Sequence, residues 1–516
     1  MAKKPRKEAR PEPDARSDRE MSWLRRRLPS WLAGPGRADL IAAEIGPGSS
    51  AVIVGKNNIQ IGTLVVPTLP VVLTLLLLVA AVSAYLWFRF VPRVMPLGQL
   101  NIAVADIGMQ SGSGDVRPTD DGRNLGEWIY RELQLGYAEF PLGRPLVWHD
   151  SMSFLAKRAS IGAIDGVTPE QRNESARATA EGLNANMLIY GVLTEAGGQA
   201  TFTPEFYVAD VLAQADELVG PHQLGKPLAL RLPLDPQDLR TSEYLRAELG
   251  TRIEALAWLT RAMVLDTNGR HEDAWVVLEQ AEAQLPDWEP DQGREILHYF
   301  KGRESLYLSR ADSTWLSRAE EEYLRALAIN PDYARAHVGL GGVYYSMAQQ
   351  LAPEDRLEDD ALELAIQHYE QAIAGAAAAP GSHIELKGRL GLGTAYRLLG
   401  EAYLGTAQYD LAVEALEVAI DTLEAALPGI PAQDHRLLAE AQLALGAAYQ
   451  QRAHVALVQG EPSASIPLYE RALAAYSECS RQAEEDLYDA SSQDLKLKWC
   501  EPYRLDVVAV LEELHQ

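Results

Sequence analysis

The stretch LGEAYLGTAQYDLAVEALEVA, residues 399–419, decides the reading of this chain. It begins with Leu399-Gly400 and Tyr403, and continues with Ala412, Leu416 and Ala419 at helical spacing. The same phrase returns as Leu445-Gly446, Tyr449, Tyr469 and Ala472, and as Leu340-Gly341, Tyr344, Ala365, Tyr369 and Ala372. Two shorter copies precede these: Ala274, Leu278, Ala281 and Pro286, then Ala319, Tyr323, Ala326 and Pro331. Small residues in such a phrase suit places where two helices of a hairpin approach closely. Tyr and Leu suit the holes between consecutive hairpins. Pro suits the end of a helix that it cannot continue. A self-similar helical phrase repeated in series predicts an array of hairpins from about Ile253 to Leu473, with insertions lengthening the third and fifth copies.

The spacing of Ala, Tyr or Leu, Ala and Pro resembles the tetratricopeptide repeat (TPR). The resemblance implies an all-α solenoid whose first helices line a groove for peptides or protein segments, and it implies no catalysis. Carried onto these residues, the groove consists of Arg335, Val338, Gly342 and Tyr345, then Thr394, Arg397, Glu401 and Leu404, then Glu440, Leu443, Ala447 and Gln450. That mixture is neither a basic carboxylate clamp nor an aromatic cage, so it suggests a mixed polar and apolar peptide surface.

A chain of 516 residues with 47% hydrophobic content has room for more than one packed domain. Its net charge of -25 argues against nucleic acid as the partner of the bulk of the chain. The charge is uneven. Residues 1–63 carry 12 Lys/Arg against 7 Asp/Glu, a balance of +5, so the remaining chain carries -30. Residues 1–20 are charged and poor in apolar side chains and read as disordered. Trp23 to Leu32, mixing aromatics with Arg25, Arg26 and Arg27, reads equally as an amphipathic helix on an anionic membrane or as a short solvated helix. Alternating Val and Ile around Lys56-Asn57-Asn58 predict a small β-hairpin; Lys56 is not followed by Ser or Thr, so the Gly-rich start is no phosphate loop.

From Leu64 to Phe88 no residue is charged. Such a run predicts a transmembrane helix, fully helical over residues 71–88, with Tyr85 and Trp87 in the interfacial belt and Arg89 and Arg93 closing it. A cleavable signal peptide ending at Val82-Ser83-Ala84 is the rival; the long head before the run disfavours it. The basic head places the N-terminus in the cytoplasm and the acidic body outside the cytoplasmic membrane.

Beyond a linker, Leu100 to Asp106 reads as a buried strand, 125–140 as a helix, Leu146 to His149 as a second strand, 169–183 as a helix, 185–191 as a third strand and 200–208 as a fourth. Strands alternating with helices predict an α/β layer. The opening strand and helix, and the phrase AEGLNANMLIYGVL at 180–193 followed by Gly197-Gly198, resemble the TolB amino-terminal-like domain. Domains of that kind are often joined to tetratricopeptide repeats in bacterial proteins, and the resemblance implies envelope assemblies and protein contacts. Pro221, Pro227, Pro233 and Pro236 predict a linker into the repeats.

The expected organisation is therefore an α+β multidomain chain. It has a basic head at 1–63, a transmembrane helix at 64–90, an α/β domain at 98–220 and a linker at 221–245. A solenoid of about five repeats at 246–475 and capping helices at 476–516 complete it. His149-Asp150-Ser151 are too close in sequence to assemble a catalytic triad and read as a strand end, with Ser151 capping a following helix. Cys479 and Cys500 lack zinc-ligand spacing and read as two free thiols, or as a pair in an oxidising compartment. No metal, cofactor or catalytic residue is expected. The expected function is a single-pass, membrane-anchored scaffold that recruits protein partners through its groove. The alternative is a sensor whose α/β domain binds a ligand near Asp106.

Overall fold

A computed structural model describes residues 52–55, 58–61, 64–90, 94–96, 100–110, 114–138, 145–149, 161–196, 199–209, 218–235, 237–379, 382–432, 434–485 and 490–515. The charged start at 1–20, the Trp23 to Leu32 segment and the Asp150-Ser151 cap lie outside the described residues. The chain divides into two units, residues 1–91 and 92–516.

In the first unit, β1 (Val52–Gly55), β2 (Asn58–Ile61) and β3 (Leu64–Pro67) form an antiparallel sheet in sequence order, so the expected hairpin gains a third strand. Helix α1 (Thr68–Phe90) follows. The uncharged run is thus split: residues 64–67 pair with β2, and only the remainder is helical. Val65 and Val66 favour extended backbone, and Pro70 in the first helical turn has no N–H that the helix needs. Side chains of α1 are described from Leu73 to Tyr85, and all of them are exposed. Among the described residues, no helix is long and apolar enough to cross a membrane.

The second unit opens with a mixed sheet whose strands lie in the order Gly220–Gln223 (β10), Gln199–Val208 (β9), Met187–Ala196 (β8), Asn101–Val104 (β4) and Leu146–His149 (β7). Strand β4 (Asn101–Val104) lies parallel to both β7 (Leu146–His149) and β8 (Met187–Ala196), and β8 forms a long antiparallel hairpin with β9 (Gln199–Val208). The short β5 (Gly108–Gln110) continues alongside β8 and pairs with β6 (Val116–Pro118). Alternation sorts the two faces. Ile102, Val104, Met187 and Ile189 pack with Leu125, Trp128, Ile129 and Leu133 of α2 (Asp120–Gly136). Ala103, Ala105, Leu188 and Tyr190 pack with Ala176 and Ala180 of α3 (Pro169–Leu183). Helix α2 starts earlier than the apolar spacing alone predicts. Thr119 accepts from the Gly122 N–H at 3.1 Å, and Asp120 and Asp121 complement the positive helix start.

The linker expected at 221–245 is corrected. Strands β10 (Gly220–Gln223) and β11 (Leu228–Leu230) both pair with β9, and helix α4 (Leu239–Thr267) begins within the same stretch. Pro221 is tolerated because β10 is an edge strand with one neighbour. Leu245, Leu249 and Ile253 of α4 belong to the same apolar core as α2 and the inner face of the sheet. The sheet and the helical array therefore share one core.

Hairpins follow in series: α4 with α5 (His271–Gln284), α6 (Arg294–Leu308) with α7 (Trp315–Ile329), and α8 (Ala334–Gln349) with α10 (Ala361–Gly375), interrupted by the single turn α9 (Pro353–Arg356). Then come α11 (Ile384–Gly405) with α12 (Tyr409–Ala426), and α13 (His435–Val458) with α14 (Pro462–Glu485). Ala274, Ala281, Ala319, Ala326, Ala365, Ala372, Ala412, Ala419 and Ala472 are completely buried, as close helix contacts require. The Tyr323 ring is held between Gly302 of its own hairpin and Gly339 of the next; Tyr369 is held the same way between Gly341 and Gly391. A Cβ added at Gly302 would lie 2.8–2.9 Å from three Tyr323 ring atoms. Pro286 and Pro331 follow the ends of α5 and α7. This is a tetratricopeptide-like array of helices.

At the far end, α15 (Ala490–Leu495), a π-helical turn at Lys496–Cys500 and α16 (Glu501–Leu514) follow α14. Val507 and Leu511 of α16 bury against Tyr469 and Tyr476, and Tyr503 stacks on Tyr476 at 5.6 Å. Cys479 and Cys500 are joined in a disulfide across this end, Cα atoms 5.8 Å apart, packed beside Ala439 and Ala483. The reading of two free thiols is corrected. The π turn brings Cys500 round to α14.

Candidate functional groove

The first helices of four successive hairpins, α6, α8, α11 and α13, lie side by side and line one groove. Its cavity measures about 300 Å³. Helix α6 supplies Leu306, Tyr307 and, just beyond its end, Arg310; α8 supplies Val338 and Gly342; α11 supplies Lys387, Leu390 and Thr394; α13 supplies Leu437 and Glu440. Tyr323, Tyr369 and Leu423 from the second helices also line it. The Arg310 guanidinium lies 4.7 Å over the Tyr307 ring. Burial pushes the Tyr369 hydroxyl well above the ordinary tyrosine range, so it stays protonated. The groove offers apolar side chains for anchoring and a few charges for orientation.

The expected groove residues divide into three sets. Val338, Gly342, Thr394 and Glu440 line the cavity. A second set is held in structural contacts. Glu401 accepts from Arg356 at 3.0 Å, Arg397 at 3.2 Å and Gln451 at 3.1 Å. Burial alone would raise the Glu401 carboxyl, but the two guanidinium groups bring it below its ordinary range. Tyr345 accepts from Gln349 at 2.9 Å, and Gln450 accepts from the Tyr476 hydroxyl at 2.7 Å. Leu404 packs against Ala412, Leu416 and Val455, Leu443 packs against the cysteine pair, and Ala447 is half-buried. The third set is Arg335 alone. It is buried, and its Nη2 donates to the Val219 carbonyl next to β10 at 3.1 Å. A periodicity argument finds the face of a helix. It does not find neighbours from other hairpins, and these decide which residues stay accessible.

The residues of α6 were missed because this helix carries an unusual load of buried charge. Lys301 pairs with Glu279, with Glu282 at 2.8 Å and with Glu322 at 3.1 Å, and His298 bonds Glu322 at 2.7 Å. Asp266, His271, Arg303 and Glu304 form a second network. His271 Nδ1 lies 2.9 Å from Glu304 and 3.2 Å from Asp266, and Arg303 reaches Asp266 at 2.5 Å. The Asp266, His271 and Glu304 ligand atoms lie within 4.8 Å of one another, close enough for a metal ion. The Arg303 guanidinium already supplies the balancing positive charge there. Buried polar side chains hide a helix from apolar periodicity.

In the sheet domain, His149 is buried, its Nδ1 2.9 Å from the Val104 carbonyl and its Nε2 3.9 Å from Asp106. Asp106 also faces Arg123 at 3.8 Å. These contacts tie β7 to the end of β4.

No family model matches the chain, and no curated protein matches it. Among solved structures, it is similar to TTC0263, a thermophilic TPR protein of Thermus thermophilus, at 22% identity, over 49% of this chain and 99% of that one, with a TM-score of 0.31. It is also similar to MamA from residue 41 onward from Desulfovibrio magneticus RS-1, at 17% identity, over 43% and 94%, with a TM-score of 0.27. The MamA RS-1 ArsTM double mutant is similar at 18% identity, over 45% and 97%, with a TM-score of 0.28. The hairpins and their buried signature residues, rather than these likenesses, carry the description of the array.

Proposed function

We propose that this protein is a membrane-anchored scaffold that holds a segment of a partner protein in the groove of its helical array. The observation that carries the reading is the groove itself, formed jointly by four first helices. An apolar cavity rimmed by Arg310, Lys387 and Glu440 suits an extended or helical segment with one or two bulky apolar side chains.

Anchoring is supported by α1. Its exposed side chains include Leu73, Leu75, Leu76, Leu77, Leu78, Val79 and Val82. A body outside the cytoplasmic membrane is supported by the Cys479–Cys500 disulfide, since such bonds persist in oxidising compartments. The TolB-like phrase at 180–193 agrees with an envelope setting. A sensing role in place of scaffolding draws support from the polar cleft between β10 and the array.

The test is cross-linking of full-length protein in intact membranes, followed by identification of captured proteins. Val338→Asp with Thr394→Trp fills and charges the cavity while leaving the Arg356–Glu401–Arg397 cluster in place. The expected result is one dominant partner lost from the double variant. Equal capture by both forms overturns the groove as the working surface. The compartment of the captured partner checks the orientation.

A further inference from the structure

In the hairpin of α8 and α10, His337 and His368 face each other, Nδ1 to Nδ1, at 2.9 Å. Their ring centroids lie 5.2 Å apart, with the planes 27° from parallel. His337 stands three residues before Leu340-Gly341, and His368 directly before the slot-filling Tyr369. The same two places hold Tyr396 and Ala415 in the next copy of the phrase, and Gln442 and Leu468 in the last. The repeat signature therefore does not call for this pair. Both rings are half-buried, so solvent ions reach them, and neither lines the groove.

The surroundings hold the two rings in place. His337 Nε2 donates to the Pro331 carbonyl at 3.4 Å. A carbonyl only accepts, so Nε2 carries the proton and Nδ1 keeps its lone pair. His368 Nδ1 therefore supplies the hydrogen of the 2.9 Å contact. The His368 ring stacks on Tyr344 at 5.5 Å, and the Tyr344 hydroxyl donates to Glu320 of α7 at 2.8 Å. The Gln371 side chain also bonds His368 and favours its protonated form, so a carboxamide oxygen is at hand to accept a further N–H. Burial lowers both imidazoles, His368 to about 4 with His337 adding to the effect, so both rings are neutral near pH 7. A ring whose far N–H is held by a carbonyl or a side chain is the arrangement that orients metal-binding histidines.

We propose that His337 and His368 form a chelating site for a divalent transition metal, copper(II) or nickel(II), which clips α8 to α10. Imidazole suits these ions, whereas calcium and magnesium take oxygen ligands. At metal–nitrogen bonds of about 2.0–2.1 Å, nitrogens 2.9 Å apart subtend about 90° at one ion, the cis angle of tetragonal coordination. A tetrahedral ion such as zinc needs them about 3.3 Å apart. Rotation about histidine χ2 is soft, so small turns of the rings aim both lone pairs at one point. As the ion enters, the hydrogen on His368 Nδ1 moves to Nε2 and the ring stays neutral. Water fills the remaining coordination positions. The buried set of Asp266, His271 and Glu304 differs, because the Arg303 guanidinium already stands against Asp266 there.

Isothermal titration calorimetry of the full-length, tag-free chain in detergent tests the proposal, with copper(II), nickel(II), zinc(II) and magnesium as separate probes. Both cysteines are held in the disulfide, so no thiol competes for the metal. The expected result is one equivalent of copper(II), with nickel(II) and zinc(II) weaker and magnesium not bound. His337→Gln and His368→Gln should each weaken copper binding about tenfold or more. Electron paramagnetic resonance of the copper form should show two nitrogen ligands in the parent and one in either variant, a change that altered packing alone would not produce. Copper should also raise the melting temperature of the parent and of neither variant. His271→Asn is expected to bind copper as the parent does. Copper binding indifferent to both site variants overturns the proposal, as does its loss in His271→Asn instead. Tighter binding of zinc than of copper overturns it as well. Binding of no transition metal overturns it too, and leaves a hydrogen-bonded histidine pair.

Discussion

Gly302→Ala probes the contact on which the array's spacing depends. In an ordinary exposed helical position, Ala replaces Gly with a gain of up to about 1 kcal/mol, because glycine loses the most backbone freedom on folding. Gly182 of α3 is such a position: nothing lies within 4 Å of a Cβ placed there. At Gly302 the new methyl would lie 2.8 Å from Tyr323 Cδ1, 2.9 Å from Cε1 and 2.9 Å from Cγ. The ring has little room to retreat, since Gly339 of the next hairpin also crowds it: a Cβ there would lie 2.2 Å from the ring Cζ. Overpacking of this kind costs about 1–3 kcal/mol. The steric term therefore opposes and exceeds the propensity gain, and the two glycine variants should differ by about 1–3 kcal/mol. Urea unfolding of the full chain, followed by far-UV circular dichroism, reads the difference. Removing the ring gives the decisive comparison: in a Tyr323→Leu background, Gly302→Ala should turn neutral or stabilising. If Gly302→Ala stabilises as Gly182→Ala does, or if its cost survives the loss of the ring, the tyrosine slot is not what spaces the hairpins.

Three further outcomes follow from buried charge and from the disulfide. Lys301→Met leaves Glu279, Glu282 and Glu322 facing one another around a side chain that was 2% exposed, and should destabilise by about 3–5 kcal/mol in the same urea assay, with part recovered by adding Glu322→Gln. Burial would lower His271, but Asp266 and Glu304 raise it to about 9. A raised histidine contributes stability that is complete below about 6.5 and fades as pH climbs through about 9. Melting temperature should therefore fall between those values, and the fall should shrink in His271→Asn. Reduction of the Cys479–Cys500 bond should lower stability by about 3 kcal/mol for a loop of this length, and alkylation before and after reduction, read on a gel, should show the pair oxidised in protein taken from membranes. Unchanged melting after reduction would deny the bond a role in holding the last hairpin.

The array was legible because its signature is made of residues with a single packing reason. Ala365 and Ala372 must be small, and Tyr369 must fill a hole, so the phrase survives insertions between its helices. The sheet was legible in its central strands, where Ile102, Val104, Leu188 and Tyr190 follow the period of two. The edge was not. Pro221 and the polar His222 and Gln223 look like a linker, yet an edge strand tolerates both. Helix α6 was hidden for the related reason that His298, Lys301, Arg303 and Glu304 are buried against opposite charges from α4, α5 and α7. Four of the groove residues were placed by register alone. Arg335 and Glu401 were not, because their partners lie beside β10 and on α9 and α13, outside their own repeats.

The core shared by the sheet and α4 sets how this molecule can change length over evolution. A repeat protein usually ends in a specialised polar repeat at both termini, and units are gained or lost between them. Here the apolar face of α4 is covered by a sheet, and the last hairpin by α16 with its disulfide. Both ends are closed by unrelated means, so duplication or deletion of units is confined to the interior, between α6 and α13. Those are the helices that line the groove. Any such change would alter the length of the groove while leaving the two closed ends of the array as they are.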